Sequence, residues 1–504
     1  MTARRHLAID LGASSGRVIE VRVDPSATDA VVAVERHRFA NGPVQRVGED
    51  GSRFEWPWSR IVSEVGEGLA AAATAADGLV DSIAIDSWAV DYGLLDEHGE
   101  LVAPVAAYRD PRTREAFERV RSELGDETLF EATGIQFQPF NTIYQLAADA
   151  ADPARGLDRA RRLLMVPDLL AHDLCGSTVG ERTNASSTQM LDGEGRWIDR
   201  FVRAIGIDPS ILPTLVEPGC PEPLGRLRSE VAQATGLSSG TPLLATATHD
   251  TASAVAAAPI DDATDVYISS GTWSLIGIEG DVAVSGEDAR TANLTNEHGA
   301  FGSVRTLFNM AGLWLLEESR RAIAESGRPS DLATLLAAAE DAPPWSCVFD
   351  PDDARFATPG DMPARVREIC LEHGETPPSD DAGLVRSILE SLALATARAI
   401  DRLARLSGRR LQRVVVVGGG SRNERLNRWI ADASGLPVET GPVEATAIGN
   451  GLLQFASLEG IPDLATLREL VRRSCRPRRF EPSTSSAAID DARARFAALA
   501  DRSF

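Results

Sequence analysis

Two segments half a chain apart share one outline: LAIDLGASSGRVIEV at 7–21 and VYISSGTWSLIGIEG at 266–280. In each, an apolar run enters a turn of Gly with Ser or Thr, and a second apolar run leaves it. In the first, Ile19, Val21 and Val23 alternate with Glu20 and Arg22. That is the period-two pattern of a half-buried antiparallel strand, with the run before the turn as its partner. A duplicated α/β domain, each half opening on such a hairpin, explains the pair; so does a chance likeness of two ordinary hairpins. At 504 residues the chain exceeds what one hydrophobic core supports, so two domains are expected in either case.

Between the hairpins, SRIVSEVGEGLAAAA places Ile61 or Val62, Val65 and Leu69 at helical spacing, and SIAI reads as a strand. PLLATAT at 242–248 is an apolar run ending at His249-Asp250-Thr251, where a short helix begins. Pro259 and the acidic pair Asp261-Asp262 break the pattern, which puts the boundary near 255–265 and the domains at 1–258 and 259–504. In the second half, 310–326 reads as a helix. The stretch from Asp381 to Gly408 reads as a long amphipathic helix closed by that glycine. VVVVGGGSRNERLNRWIADASG reads as strand, Gly-rich joint and helix, and a further helix starts near VEATAIGN.

A net charge of −23 argues against nucleic-acid binding, because such a field repels phosphate backbones. The five cysteines are scattered, odd in number and without a C-x-x-C spacing, as expected in a reducing cytoplasm and not of a zinc site. Asp10 interrupts the only apolar run near the start, and no run approaches the ~18 apolar residues a span needs, so neither a secretory leader nor a membrane partner is expected.

The chain has no lysine; all 51 basic residues are Arg. A P-loop is therefore excluded. The turn GASSGR offers another way to hold phosphate: backbone N–H groups, the hydroxyls of Ser14 and Ser15, and the charge of Arg17. Asp10 is placed to hold magnesium through water. The plain alternative is an ordinary β-turn. Asp250, at the end of an apolar run, reads either as a helix cap or as the carboxylate that receives a proton in phosphoryl transfer. SSGTWS, with Thr272, is a second hydroxyl-and-amide cradle, and Gly418-Gly419 is a joint against which an adenosine can lie. DSWAVD offers Asp86, Trp88 and Asp91 to a sugar, and FNMAG offers Asn309; a solvated surface loop is the plain reading of the two Asp.

DLGASSGR, SIAIDSWAVDYGLLD, AAYRDPRT, GIQFQPFNTIYQL, THDTASAV, YISSGTWSLIG, NLTNEHGA, FNMAGLWLLE and GPVEATAIGN occur in this order from about residue 5 to about 455. Together they closely resemble the FGGY carbohydrate kinases. The resemblance implies two ribonuclease-H-like domains of the actin and hexokinase type, with an active-site cleft between them. It also implies ATP- and magnesium-dependent phosphorylation of a ketose at its 1-hydroxyl. L-Rhamnulose is the first expectation; L-fuculose or L-xylulose, or a non-catalytic actin-like ATPase, are the alternatives. By matched motif positions, Asp250 would be the proton acceptor, with His249, Thr251, Ala89 and Asn309 at the sugar. Ala13, Ser14, Ser15, Gly16 and Arg17, with Thr272, Glu317, Gly418 and Gly419, would hold the nucleotide. Two positions depart from the family pattern: Ala89 stands where Gly is usual, and Glu317 where Gln is expected. A cytoplasmic protein, as a monomer or small homo-oligomer, is expected.

Overall fold

The computed structural model describes residues 3–48, 51–261, 263–358, 360–483 and 487–500; Asp262, read above as part of the boundary, lies outside them. The chain divides into two compact units. The first comprises Met1–Pro259, Glu279–Thr306 and Glu444–Cys475; the second comprises Ile260–Ile278, Leu307–Val443 and Arg476–Phe504.

The first unit is built on β1 (Arg4–Leu11), β2 (Ser15–Val23), β3 (Val31–Ala40), β4 (Ser82–Ser87), β5 (Gly225–Arg226) and β6 (Pro242–Leu243), in the order β5-β6-β4-β1-β2-β3. β1 is central, antiparallel to β2 and parallel to β4. Its run Leu7, Ala8, Ile9 and Leu11 is wholly buried, as a strand covered on both faces requires. Helix α1 (Trp58–Ala75) packs on this sheet through Ile61, Val65, Leu69 and Ala72, one apolar stripe at helical spacing. Gly68 allows the close approach, since a Cβ there would stand 2.4 Å from Val18 Cγ2.

Glu20 does not face water, although strict alternation places it outward. It is fully buried under Arg22, Arg36 and Arg5, with Arg36 Nε 2.8 Å from one oxygen and Arg5 Nε 3.2 Å from the other. A carboxylate roofed by three guanidinium groups replaces the solvent that the pattern implied.

The second sheet contains β7 (Asp265–Ser270), β8 (Trp273–Gly280), β9 (Thr295–His298), β10 (Val304–Ala311), β11 (Arg413–Val417), β12 (Val438–Thr440) and β13 (Arg479–Phe480), in the order β9-β10-β8-β7-β11-β12-β13. Here too a hairpin, β7 with β8, is followed by parallel pairing of its first strand with a later one, β11. The same wiring in both sheets favours duplication over chance likeness. Met310 and Ala311 end β10 and are not helical; the helix expected from 310 starts at Trp314, as α2 (Trp314–Glu325). Helix α3 (Asp381–Ser407) has the expected bounds: Asp380 accepts from Gly383 N at its start, and Gly408 closes it at φ 67°. Of the apolar run at 242–248, only Pro242–Leu243 pairs as a strand. Among the described residues no helix is long and apolar enough to cross a membrane.

Candidate active site

The strand register assembles a row of charges at the carboxyl ends of the first sheet. Asp10 on β1 lies opposite Arg17 on β2 and opposite Asp86 on β4. Ser87 N donates to Thr248 O at 2.8 Å, and Ser87 bridges to His249, so the segment entering Asp250 runs alongside the end of β4. The crevice outside the carboxyl ends of parallel strands is where open α/β sheets place their ligands. Arg17 does not stand free for phosphate. It is ion-paired to Asp10 and to Glu444, just ahead of the helix α4 (Ala445–Glu459). Asn450 of α4 donates to Asp86 Oδ2 at 2.6 Å.

The acids differ in exposure. The side chains of Asp86 and Asp10 are buried, whereas that of Asp250 is 34% exposed. Burial, then the neighbouring Asp10, push the Asp86 carboxyl well above its usual range. Burial also raises Asp10, against the pull of Arg17. Asp86 Oδ1 is buried without a hydrogen-bond partner among the described residues. An orphaned carboxyl oxygen beside a second acid fits a hard cation such as magnesium. Among the described residues, the one group bringing three acid or His ligand atoms within 4.8 Å of each other is His37, Glu64 and Glu67. An ion at Asp10 and Asp86 would therefore be held partly through its own water.

Asp250 is the first residue of the helix Asp250–Ala256, but its side chain makes no capping bond to the next turn; its Oδ1 accepts from Thr251 N at 2.6 Å. Among the described residues no Arg pairs with it. His249 Nε2 lies 3.5 Å from Asp250 Oδ1, and His249 Nδ1 lies 3.2 Å from Glu297 Oε2 and 3.1 Å from an Arg305 nitrogen. Arg305 is fully buried and pairs with Glu297 at 2.9 Å. Burial alone would raise the Glu297 carboxyl; Arg305 and His249 outweigh it and hold it at about 2. Glu181, also fully buried, accepts from Thr248 N and Oγ1 and from Thr183 N and Oγ1, and Thr183 Oγ1 in turn receives His249 N. The His249–Asp250 pair is thus fixed from behind by two buried acids.

The DSWAVD segment is no solvated loop; Asp86 and Asp91 are both fully buried. Asp91 accepts from Trp56 Nε1, Trp88 Nε1, Tyr108 N and Gln145 Nε2, at 2.7 to 3.2 Å. Burial pushes its carboxyl up to about 6 even so. Trp88 stacks on Trp56 with ring centroids 4.0 Å apart. Next to half-buried Ala89, Val90 holds φ 69°, an outlying conformation for a β-branched residue. Its carbonyl accepts from Thr142 Oγ1 and Gln145 Nε2, which hold it there. Thr251 is buried in the helix that begins at Asp250.

At the first hairpin, Ala13 is half-buried, Ser14 exposed and Ser15 half-buried. Gly16 is demanded by packing: a Cβ there would stand 2.1 Å from the Phe39 ring. In the second unit, the turn Gly271–Trp273 receives Leu313 N on Gly271 O and Trp314 N on Thr272 O, so α2 starts at the hairpin. Gly312 must be glycine, since a Cβ would stand 2.5 Å from the Trp273 backbone. Glu317, in the first turn of α2, pairs with Arg320 at 2.6 Å. Its charge is therefore already compensated. Asn309 Oδ1 is buried without a partner among the described residues. Gly418 follows β11 at φ 82°, where a Cβ would meet Ser270 O at 2.9 Å, and Gly419 has open space on that side. The joint therefore adjoins the end of β7, two residues before Thr272.

Residues 6–257 match the profile of the FGGY family of carbohydrate kinases, N-terminal domain, and residues 266–458 match that family's C-terminal domain. The chain belongs to the FGGY family of carbohydrate kinases. A rhamnulokinase of Pectobacterium carotovorum subsp. carotovorum (strain PC1) is 38% identical over 488 residues, 96% of this chain and 95% of that one. A rhamnulokinase of Bacteroides thetaiotaomicron is 37% identical, over 95% and 96% of the two chains. In fold, the kinase is similar to a xylulose kinase from Rhodospirillum rubrum (TM-score 0.77, 20% identity, 99% of both chains). It is also similar to a Plasmodium falciparum glycerol kinase with ADP (TM-score 0.76, 17% identity, 100% and 99%). It is a two-domain sugar kinase.

Glu181, Glu297, Arg305, Glu444 and Asn450 surround the candidate residues; Glu297 lies in NLTNEHGA and Glu444 and Asn450 in GPVEATAIGN, but no spacing assigns them a role, and Glu181 and Arg305 lie in no such segment. Helix α4 also sets the position of Asp250. A Cβ on Gly449 would fall 1.8 Å from Ser253 O, in the helix that Asp250 begins. Gly449→Ala is expected to lower stability by about 1–3 kcal/mol. With Asp250 as the proton acceptor proposed below, it should also cut kcat about 100-fold, the scale of a ~1 Å displacement at a reacting group. Denaturant midpoints and steady-state rates check both.

Proposed function

We propose that this kinase transfers the γ-phosphoryl group of ATP to the 1-hydroxyl of L-rhamnulose, giving L-rhamnulose 1-phosphate and ADP, a step of L-rhamnose catabolism in the cytoplasm. The observation that carries the chemistry is the contrast among three neighbouring acids: Asp250 alone is open and without an Arg partner. Asp250 accepts the hydroxyl proton as the bond to phosphorus forms. His249 sits beside it. Its Nε2 faces Asp250 Oδ1 at 3.5 Å while its Nδ1 faces Glu297 and Arg305, so the ring is held where Nε2 can orient the carboxylate or the sugar. Thr251, Ala89 and Asn309 serve the sugar, Asn309 through its unpartnered Oδ1. Ala13, Ser14, Ser15 and Gly16 present backbone and hydroxyl donors to the phosphates, with Thr272, Gly418 and Gly419 serving the nucleotide. Arg17 exchanges Glu444 or Asp10 for a phosphate oxygen. Magnesium, held at Asp10, supplies neutralising charge to the phosphates when bound. Residues 1–258 would carry the sugar side and the proton acceptor, and residues 259–504 most of the nucleotide side. A monomer or small homo-oligomer suffices for this chemistry, with neither nucleic acid nor membrane as a partner.

The substrate assignment is supported by the near full-length likeness to rhamnulokinases. Ala89, beside strained Val90, favours keeping L-fuculose and L-xylulose as competitors. A coupled ADP-release assay with L-rhamnulose, L-fuculose, L-xylulose and glycerol tests it. L-Rhamnulose with magnesium is expected to give the highest kcat/KM, with L-xylulose, which lacks the 6-methyl, lower by about 10–200-fold. A higher kcat/KM for another ketose contradicts the assignment. Glu317→Gln is expected to change the KM for ATP by less than about fivefold, because an exposed, compensated carboxylate is worth under about 1 kcal/mol. Nucleotide titration of the variant measures it.

A further inference from the structure

Two of the scattered cysteines meet. Cys347 Sγ and Cys370 Sγ lie 2.8 Å apart, both buried, although 23 residues separate them in the chain. Cys175, Cys220 and Cys475 are only partly buried. Cys347 lies in an irregular segment, and Cys370 lies on the helix Met362–Glu372. Two residues before Cys347, Trp345 holds φ 52°, an outlying conformation for a bulky side chain. It is kept there by Glu390, which accepts from Trp345 N at 2.7 Å, and by Arg495, which donates to Trp345 O at 2.6 Å. Strain of this kind persists only where its surroundings impose it. Oxidation of the two buried thiols requires local opening of this irregular segment.

We propose that Cys347 and Cys370 form a reversible dithiol–disulfide couple. A disulfide bond is about 2.05 Å long, so the sulfurs need to approach by less than 1 Å. The oxidant is a small-molecule disulfide such as glutathione disulfide. Attack by one thiolate forms a mixed disulfide and releases one glutathione thiol. The second thiolate displaces the other glutathione. In sum, the two protein thiols lose two protons and two electrons, one S–S bond forms, and the oxidant is reduced to two thiols. In a reducing compartment such a bond is transient and responds to redox state. The loop it closes contains Asp352, whose Oδ1 accepts from Ala311 N at 2.6 Å, and Phe356, whose carbonyl accepts from Trp314 Nε1 at 3.3 Å. Both contacts buttress the start of α2, next to the Gly271–Trp273 turn. The disulfide therefore staples the support of the second hairpin.

The native full-length protein, reduced and then equilibrated in an oxidising glutathione buffer, is quenched with acid, alkylated and digested. The five thiols of the reduced protein should fall to three, with one peptide pair joining Cys347 to Cys370 and a thermal midpoint several degrees higher. Cys347→Ser should yield no joined pair and no gain in midpoint. Retention of all five thiols in the wild type, a link through Cys175, Cys220 or Cys475, or a joined pair in Cys347→Ser overturns the proposal.

Discussion

Asp250→Asn is expected to cut turnover by about 100-fold or more while leaving ketose affinity largely intact, the usual scale for a lost general base. The argument rests on what surrounds the carboxylate. Asp86 has Asn450 against it and is driven toward its neutral form by burial and Asp10. Asp10 is held by Arg17. Neither is free to accept a proton from an alcohol. Asp250 keeps an open carboxylate that accepts from Thr251 N and is spent on no capping bond to the following turn. Asparagine preserves the size and that acceptor oxygen but removes the basicity. Steady-state kcat, with sugar binding measured separately by calorimetry, checks both halves; unchanged turnover removes Asp250 from the chemistry.

Arg305→Leu is expected to destabilise the fold by about 3–5 kcal/mol, because it leaves a buried carboxylate without its cation. Arg305 is fully buried and holds Glu297 at 2.9 Å. A Glu297→Gln/Arg305→Leu double variant should recover much of the loss, since removing both partners leaves no uncompensated charge. Glu297 carries a pH signature of definite sign. Its folded value of about 2 lies below its ordinary 4.5, so the stabilisation is complete above about pH 4.5. It disappears as pH falls toward 2. Wild type and Glu297→Gln should therefore converge in stability across that acid window. Urea midpoints as a function of pH read the convergence, and a constant gap contradicts it.

Much of this architecture follows from local pattern. The two hairpins, the stripe Ile61–Val65–Leu69, the long helix closed by Gly408 and the glycine joint at 418 are local signals, set by periodicity and backbone freedom. The site is legible where one short segment carries it, as at His249-Asp250. It is hidden where strand pairing assembles it. Asp86 reads as part of a solvated loop until parallel pairing of β1 with β4 puts it opposite Asp10. Glu20 reads as outward until Arg5, Arg22 and Arg36 roof it. Glu181 and Glu297 reach His249 from 68 and 48 residues away in the chain; Glu181 belongs to no motif, and NLTNEHGA, which contains Glu297, assigns it no partner. Cys347 and Cys370 show no spacing signal, because the helix that brings them together is set by packing rather than by their sequence.

The most direct test is a crystal structure of the Asp250→Asn variant with L-rhamnulose and a non-hydrolysable ATP analogue. The account predicts the residue 250 side chain within about 2.6–3.2 Å of the sugar 1-hydroxyl, directly or through one water, with that hydroxyl facing the γ-phosphorus. A 1-hydroxyl turned away from residue 250, or held by a different acid, contradicts it.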